Sequence, residues 1–387
     1  MDCKGRCRRI AVKAAILTAV VCGSASANTR EPERPHTWSQ SVSQVDAACL
    51  LKWISAAAPE NGYRLIQFEV VDVLKGPKFV KRGDHLKLRR LVEGQKDSLF
   101  FMLGMNKPDG SGMDWEDAIP ATRPGLDYLA RAPAFGGSVR KRLPYFIKFL
   151  GSSDPFIAPD VLAEFRQASF EDLVAFAPSM PRDKLRQRIA DPKTPLRETG
   201  QYGFLLGLCG DAHDAELLAA KIREKGDDFR VGIEHAMGGY LLLTGNAGLD
   251  NLDAWMLKNK SASWGDTYAV TKALNFMWVE GNGKITKERL TLSMRLLLDR
   301  PNDAGLGIEN LARWKDWGSQ ERIVAMYDRG GSRRVEVNLA IINYLLASIR
   351  VNPAGSPEQA AAKKYLEQLR AKDPKTVKAV ERNPSQE

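Results

Sequence analysis

Five glycines in the second half of this chain recur at intervals of 35 to 37 residues, and each is followed at once by a residue that can cap a helix. The five corners are Gly210-Asp211, Gly245-Asn246, Gly281-Asn282, Gly318-Ser319 and Gly355-Ser356. Glycine readily adopts the left-handed conformation in which many helices end, and Asp, Asn and Ser accept hydrogen bonds from the free N–H groups that begin the next helix. Each pair therefore predicts a tight corner between two helices. Recurrence at this interval is typical of an α-solenoid, in which each helix pair buries its apolar stripe against the next.

The apolar residues around these corners follow a helical period. They recur three or four residues apart, so each set lies on one face of a helix. The sets are Ile233, Met237, Tyr240 and Leu241; Val270, Leu274, Met277 and Trp278; Leu290, Met294, Leu297 and Leu298; and Val335, Leu339, Ile342, Leu346 and Ile349. We therefore predict an all-α repeat domain over residues 142–382.

One corner also carries side chains that are suited to chemistry. Cys209, Asp211, His213, Asp214 and Glu216 are the residue types of a nucleophile, a base or a metal site. We favour the structural interpretation, in which Asp211 is an N-cap and the two later acids lie in the first turns of a helix, where the helix dipole stabilises them. A catalytic pair of Cys209 and His213 is the alternative, although no third group is spaced to orient the histidine.

Residues 45–105 show the alternation of β-strands instead. Ile66, Phe68, Val70 and Leu74 are predicted to face one side of a strand that ends at a Lys-Gly-Pro turn. The segments AACLLKWI, GDHLKLRRLVEG and DSLFFMLG supply further strands. Several short antiparallel strands in one segment predict a small barrel or sandwich.

The first 27 residues are predicted to be a signal peptide. A basic start, the short apolar run AAILTAVVCG and the small residues ASA predict cleavage after Ala27. An uncleaved membrane anchor is the alternative, and only then would the chain associate with a membrane. The expected location is secreted or periplasmic. Residues 28–44, rich in polar residues and proline, are predicted to be a disordered tether.

Cleavage lowers the net charge and the cysteine count. The whole chain carries +10 from 57 basic and 47 acidic residues, and removal of residues 1–27, with five Lys/Arg and one Asp, leaves +6. That mild charge does not favour nucleic acid as a partner. Only Cys49 and Cys209 remain, and we predict two unpaired, buried thiols rather than a disulfide.

Two stretches resemble known families. FEVVDVLKG together with GDHLKL resembles the strand-turn-strand of netrin-like and metalloproteinase-inhibitor-like modules, which are oligonucleotide-binding-type (OB) barrels. Inhibitors of that kind bind their target's metal through an N-terminal cysteine. The predicted mature N-terminus here is Asn28, so the resemblance does not imply inhibition.

The helical part resembles HEAT-type repeats of the bacterial sort. The resemblance rests on LLGLCGD, DAELLAAKI and DDFRVGIEHAMGGYLLL, in which residues 227–231 match a recurrent Asp-x-x-Val-Arg-like turn. The overall layout also resembles uncharacterised exported bacterial proteins. The implied fold class is α+β multidomain, with a small antiparallel β barrel or sandwich followed by an all-α superhelical, HEAT-like solenoid.

Two further acidic regions were considered as sites. Residues 106–141 are predicted to be a linker; its oxygen ligands for calcium would be Asp109, Ser111, Asp114, Glu116 and Asp117. Their spacing fails the EF-hand pattern, so a solvated loop is favoured.

The first helices hold a second set, Asp154, Asp160, Glu164, Glu171 and Asp172, among the aromatic residues Tyr145, Phe146, Phe149, Phe156, Phe165 and Phe170. Acids among aromatics can form a carbohydrate-type cleft, but helix starts and core packing explain them better.

These observations favour a binding protein. Solenoids present a long surface that mostly binds proteins or peptides, and the sequence contains no G-x-S-x-G, H-E-x-x-H or phosphate-loop motif. The four histidines, at 36, 85, 213 and 235, are too scattered for zinc. We therefore predict an extracytoplasmic binding or scaffold protein with a protein or peptide partner, and no catalytic, cofactor or metal site. The alternative is an enzyme, or an enzyme-associated subunit, with its site at the junction of the β module and the first helices.

Overall fold

A computed structural model describes residues 36–224, 230–329 and 331–383. The predicted signal peptide at 1–27 lies outside the described residues. So do residues 28–35 of the predicted tether and residues 227–229 of the turn that resembles HEAT repeats.

An antiparallel sheet forms the N-terminal part. Its strands are β1 Ala47–Ala56, β2 Arg64–Lys75, β3 His85–Arg90, β4 Leu99–Asn106, β5 Met113–Trp115 and β6 Ile119–Pro120. The strand order is β3-β2-β1-β4-β5, and β6 also pairs with β4. The strands predicted within residues 45–105 are therefore confirmed.

The sheet curls into an open half-barrel, a coarser match to the predicted small barrel or sandwich. Strands β3 and β5 are its two edges and do not pair with each other. The side chain of Arg90, at the end of β3, joins the edges instead by donating to the backbone carbonyls of Trp115 and Glu116. Because β5 has only three residues, one arginine takes the place of a strand-to-strand ladder.

A β-bulge reverses the alternation of side chains between the two faces of β2. Leu51 pairs with Val70 but Leu50 pairs with Asp72, so Val71 is an extra residue in β2. Before the bulge Ile66, Phe68 and Val70 pack inside the curl of the sheet, as predicted, whereas Leu74 beyond it packs against the helices. The prediction that Leu74 shares their face is wrong, because one inserted residue reverses the alternation.

Two predicted unstructured segments contain regular structure. Residues Trp38–Gln44 of the tether form helix α1, which Thr37 caps by accepting from the N–H of Gln40. The linker at 106–141 contains β5, β6 and helix α2.

Helices occupy the remainder of the described chain. They are α1 Trp38–Gln44, α2 Arg123–Arg131, α3 Val139–Phe146, α4 Ile157–Arg166, α5 Phe170–Phe176, α6 Arg182–Ala190, α7 Leu196–Cys209, α8 Ala212–Arg223, α9 Ile233–Thr244, α10 Asn246–Leu252, α11 Trp264–Glu280, α12 Lys287–Arg295, α13 Ala304–Arg313, α14 Gln320–Val324, α15 Arg334–Val351, α16 Pro357–Lys372 and α17 Pro374–Arg382. None of the helices in the described residues is both long and apolar enough to cross a membrane.

From α7 onwards, alternate helices pack side by side. Helix α7 packs on α9, α9 on α11, α11 on α13 and α13 on α15, while α6, α8, α10, α12 and α16 pack on members of this row. The closest pair is α7 and α9, because glycines line their contact. A Cβ atom added to Gly207 would lie 2.2 Å from the Cα of Gly239, and one added to Gly200 would lie 1.9 Å from the carbonyl oxygen of Gly232.

The five glycine corners differ from one another. Gly245 and Gly355 have positive φ angles of 59° and 80°, whereas Gly210 has a φ of −80°. Asp211 and Ser356 cap the following helices, as predicted. The cap prediction is wrong for the other three. Asn246 is already the first residue of α10, α12 begins at Lys287 behind a Thr286 cap, and Ser319 makes no capping hydrogen bond.

The sheet and the first helices share one core. Leu50, Phe101 and Leu103 on the outer side of the sheet belong to the same buried cluster as the residues of α4, and Trp38 of α1 stacks on Phe156 with ring centroids 4.9 Å apart. A second, smaller cluster fills the inside of the curl and contains Cys49. Cys49 and Cys209 are both free thiols; Cys49 is buried and Cys209 half-buried.

Candidate functional site

The corner at residues 209–216 is a capping box. The carboxylate of Asp211 accepts from the N–H groups of His213 and Asp214, at 3.0 and 3.3 Å, and that of Asp214 accepts from the N–H of Asp211 at 2.9 Å. The Cys209 thiol donates to the carbonyl of Leu205 one turn earlier. The His213 side chain is 81% exposed. These contacts account for the residues of the corner without any reaction.

Two arginines that the sequence did not single out complete this corner. The side chain of Asp214 has no exposed surface, and it accepts from Arg186 Nε at 2.6 Å and from Arg182 Nη2 at 3.0 Å. Burial alone would raise the pKa of Asp214, but the hydrogen bonds from Arg186 and Arg182 outweigh it and lower the pKa to about 2. The cluster thus joins α6 to α8.

Two of the five acids near the first helices meet in the core. The carboxylate of Asp160 accepts from the backbone N–H of Trp38 and from the hydroxyl of Tyr128, both at 2.6 Å. The carboxylate of Glu164 accepts from the hydroxyl of Ser39 at 2.6 Å and forms a buried ion pair with Arg142. Burial raises the pKa of Asp160 to about 7.

The other three acids lie apart from this pair. Asp154 accepts from the hydroxyl of Thr122 at 2.6 Å and from two N–H groups at the start of α4. Glu171 and Asp172 lie in the first turn of α5. These acids therefore form a set of helix starts plus a packed polar cluster, which holds α1 and α2 against α4.

A cavity of about 180 Å³, partly open to solvent, lies beside this cluster, between α4, α5, α7 and α9. Its walls are mainly apolar, formed by Leu162, Phe165, Ala168, Leu173, Phe204 and Leu205. Its polar residues are Arg166, Gln201 and His235. In the sequence, His235 is one of four scattered histidines. Nothing in the sequence sets Arg166 and Gln201 apart from other surface residues.

Arg166 has no partner in the part of the chain that the structure describes. The other buried or half-buried arginines of the neighbourhood are paired: Arg142 with Glu164, and Arg188 with Glu198. Arg166 makes no ion pair or hydrogen bond with any described residue, and its Nε atom is buried. Burial, together with the nearby charge of Arg197, lowers the pKa of Arg166 to about 10, so the side chain is still a cation at neutral pH.

Three phenylalanines extend the apolar wall outwards. Phe170 of α5, Phe204 of α7 and Phe276 of α11 form a half-buried cluster, with the centroids of Phe204 and Phe276 5.2 Å apart and those of Phe170 and Phe276 5.5 Å apart. Gly238 of α9 lies between the rings; a Cβ there would come within 3.3 Å of Phe276. We call Phe170, Phe204 and Phe276 the phenylalanine cluster.

The loop considered for calcium is a hairpin turn between β4 and β5. The carboxylate of Asp109 accepts from the N–H of Ser111 at 2.9 Å, and Asp114 belongs to β5. No group of three or more His, Cys, Asp or Glu residues within the described ranges is arranged to hold a metal ion.

The chain matches no protein-family model, and no curated protein or solved structure is significantly similar to it.

Proposed function

We propose that this chain is an extracytoplasmic binding protein whose HEAT-like superhelical array binds a protein or peptide partner. The observation that carries the proposal is the continuous apolar surface formed by the cavity and the phenylalanine cluster. Partly exposed aromatic rings beside a pocket are the usual composition of an interaction hot spot, since they bury much apolar area at little entropic cost.

The arrangement of the helices supports the array. The row α7, α9, α11, α13 and α15, with a second helix packed beside most of its members, is the layout expected of stacked helical pairs. Such a row presents one side of every other helix to a partner. Phe204 and Phe276 belong to two members of the row, α7 and α11, so one partner could contact both.

Export is part of the proposal and rests on the sequence of residues 1–27. Fractionation of the native cells, followed by N-terminal sequencing, tests it. We expect the protein outside the cytoplasm with Asn28 as its first residue. An intact Met1 in the cytoplasmic fraction would contradict export.

Site-directed photocross-linking tests the binding surface. We expect benzoylphenylalanine placed at Phe276 to form an adduct with one partner in the cells that produce the protein. The matched control is the same label at Phe79, which is 57% exposed on the β module. A partner that is labelled equally from both positions, or from neither, would contradict a partner on the phenylalanine cluster.

A further inference from the structure

Arg166 is a half-buried cation that lines the cavity and forms no ion pair with a described residue. It ends α4, lines the cavity and has a buried Nε without an acceptor. Leaving a buried donor without an acceptor costs about 1–3 kcal/mol, and more for a charged group. No described residue accepts from the other N–H groups of Arg166 either, so an acceptor that enters the cavity with a ligand would pair this cation.

The chemistry of that acceptor follows from the guanidinium group. Arginine presents a planar fork of N–H donors that matches a carboxylate with two parallel hydrogen bonds. Two acids act electrostatically on the polar side chains of the cavity, Glu198 on Arg166 and Glu234 on His235, and each has another partner. Glu198 lies 3.6 Å from Arg188, and Glu234 accepts from the N–H of Gly232 at 3.0 Å. The charge of Glu198 raises the pKa of Arg166, but Glu198 is shared with Arg188, and burial and the exposed Arg197 lower the pKa of Arg166 more strongly.

The imidazole of His235, one of the two other polar side chains of the cavity, is compatible with an anion but does not replace Arg166. Burial lowers the pKa of His235, and the charges of Arg166 and Arg197 act in the same direction against the effects of Glu234 and the Gly232 carbonyl. The imidazole is therefore uncharged at neutral pH. Arg166 is then the one positively charged side chain among the residues that line the cavity.

The size of the cavity limits the apolar part of the ligand. An engineered apolar cavity of about 150 Å³ is known to hold one benzene molecule. At about 180 Å³, this cavity has room for one aromatic ring or one leucine-sized side chain, and not for a long acyl chain.

We propose that the cavity binds the C-terminal residue of the partner chain, with its carboxylate on Arg166 and its apolar side chain between Phe165, Leu173 and Phe204. This inference rests on the proposed function and specifies how the partner is anchored: the phenylalanine cluster contacts the residues before the C-terminus. The charge of Arg166 and the volume of the cavity select an apolar last residue with a free carboxylate.

Calorimetric titration of the purified exported chain tests the proposal with two matched pairs of probes. The first pair is a short peptide ending in phenylalanine with a free carboxylate and the same peptide as its amide. The second pair is phenylacetate and phenylacetamide. We expect each acid to bind at least about tenfold more tightly than its amide, the difference of about 1.4 kcal/mol that one good charge-assisted contact supplies.

Substitutions assign the effect to this cavity. We expect Arg166→Gln to remove the preference for the acid and to leave the melting temperature unchanged or raised, because it removes an unpaired buried charge. A structural role for Arg166 predicts the opposite shift in melting temperature. Arg197→Gln, which changes a nearby charge outside the cavity, is expected to weaken acid binding less than threefold. Ala168→Leu, which fills the cavity, is expected to abolish binding of all four probes in a chain that still melts cooperatively.

The outcomes separate this inference from the proposed function. Equal binding of acid and amide, or an acid preference that survives Arg166→Gln, overturns the inference, while cross-links from Phe276 still support the binding surface. Binding of phenylacetate without binding of the peptide acid overturns the C-terminus as the source of the carboxylate. Loss of cross-links from Phe276 with retained binding of the peptide acid contradicts the wider surface and supports the cavity.

Discussion

At the scale of single residues, Asp214 is a buried carboxylate that contributes to stability through its arginine partners. We expect Asp214→Asn to lower the free energy of unfolding by about 2 kcal/mol, because it weakens the charge-assisted hydrogen bonds that Arg182 and Arg186 donate to this fully buried side chain. Urea denaturation at neutral pH measures the change. The control is His213→Ala, whose exposed side chain we expect to contribute less than about 0.5 kcal/mol.

The same residue gives a pH dependence with a definite sign. The pKa of Asp214 is about 2 in the folded chain against an ordinary value of 3.8, so the unfolded chain binds this proton first as the pH falls. Its contribution to stability is complete above about pH 4 and is lost as the pH falls towards about 2. A variant Asp214→Asn whose acid unfolding curve equals that of the original chain would contradict this assignment.

Gly245 is a second residue that contributes to stability, through its backbone conformation. It links α9 to α10 with a φ of 59° and a ψ of −132°, a conformation that only glycine adopts without strain. We expect Gly245→Val to cost about 1–3 kcal/mol in thermal or urea unfolding. Gly318→Ala is the control, because Gly318 has an ordinary φ and a Cβ there would be 3.4 Å from its nearest neighbour. Equal losses for the two variants would show that the backbone conformation is not the cause.

At the scale of elements, the α7–α9 contact depends on the absence of side chains. A methyl group at Gly207 would overlap the backbone of Gly239, so we expect Gly207→Ala to force the helices apart and to cost at least about 1–3 kcal/mol. At Gly238 the nearest atom is on the ring of Phe276 at 3.3 Å, and that ring can shift. Gly238→Ala is therefore expected to cost less. If Gly207→Ala and Gly238→Ala unfold at the same urea concentration, the close approach of α7 and α9 does not contribute to stability as proposed.

The elements also show where periodicity is a reliable guide and where it is not. The buried faces of α9 and α12 follow the sequence pattern, because one face of each helix packs on one core. Of the stripe predicted for α15, Ile342 is buried and Leu339, Leu346 and Ile349 pack against the core, but Val335 is 63% exposed. Val337, Ile341 and Tyr344, outside the predicted stripe, are also buried. Helix α15 is packed on α13 and α16 together, so the spacing of apolar residues alone does not say which side is covered.

At the scale of the whole molecule, the contact between α1, α2 and α4 is expected to depend on pH through Asp160. Its pKa is about 7 in the folded chain and 3.8 ordinarily, so between those values the folded chain holds a proton that the unfolded chain has released. Stability therefore falls as the pH rises from about 4 to about 7. The loss can reach a few kcal/mol, since each unit of pKa difference corresponds to about 1.4 kcal/mol.

The variant Asp160→Asn tests this contact. It keeps the shape and an acceptor for the N–H of Trp38 but cannot ionise, so we expect its free energy of unfolding to change less between pH 4 and pH 7 than that of the original chain. The control is Asp114→Asn, which removes an exposed carboxylate of β5 and is expected to leave the pH dependence unaltered. Parallel pH profiles for Asp160→Asn and the original chain would contradict the assignment.

The sequence by itself determined the features that depend on neighbours along the chain. The strands of residues 45–105, the helices after Leu143, the cap at Asp211 and the exposure of His213 all follow from local conformational preference and from spacing. Each involves groups within a few residues of one another, so a single sequence contains the information.

Only the tertiary structure decided which distant charges meet. Asp214 is paired with Arg182 and Arg186 from the helix before the previous one, Asp160 is covered by a residue 122 positions earlier, and Arg166 forms no ion pair with a described residue. In the sequence these arginines and acids are equivalent, because the position of a charged residue along a helix does not indicate which distant residue it pairs with. The packing of α4 against α5, α7 and α9 is what distinguishes the unpaired arginine beside a cavity from the paired ones.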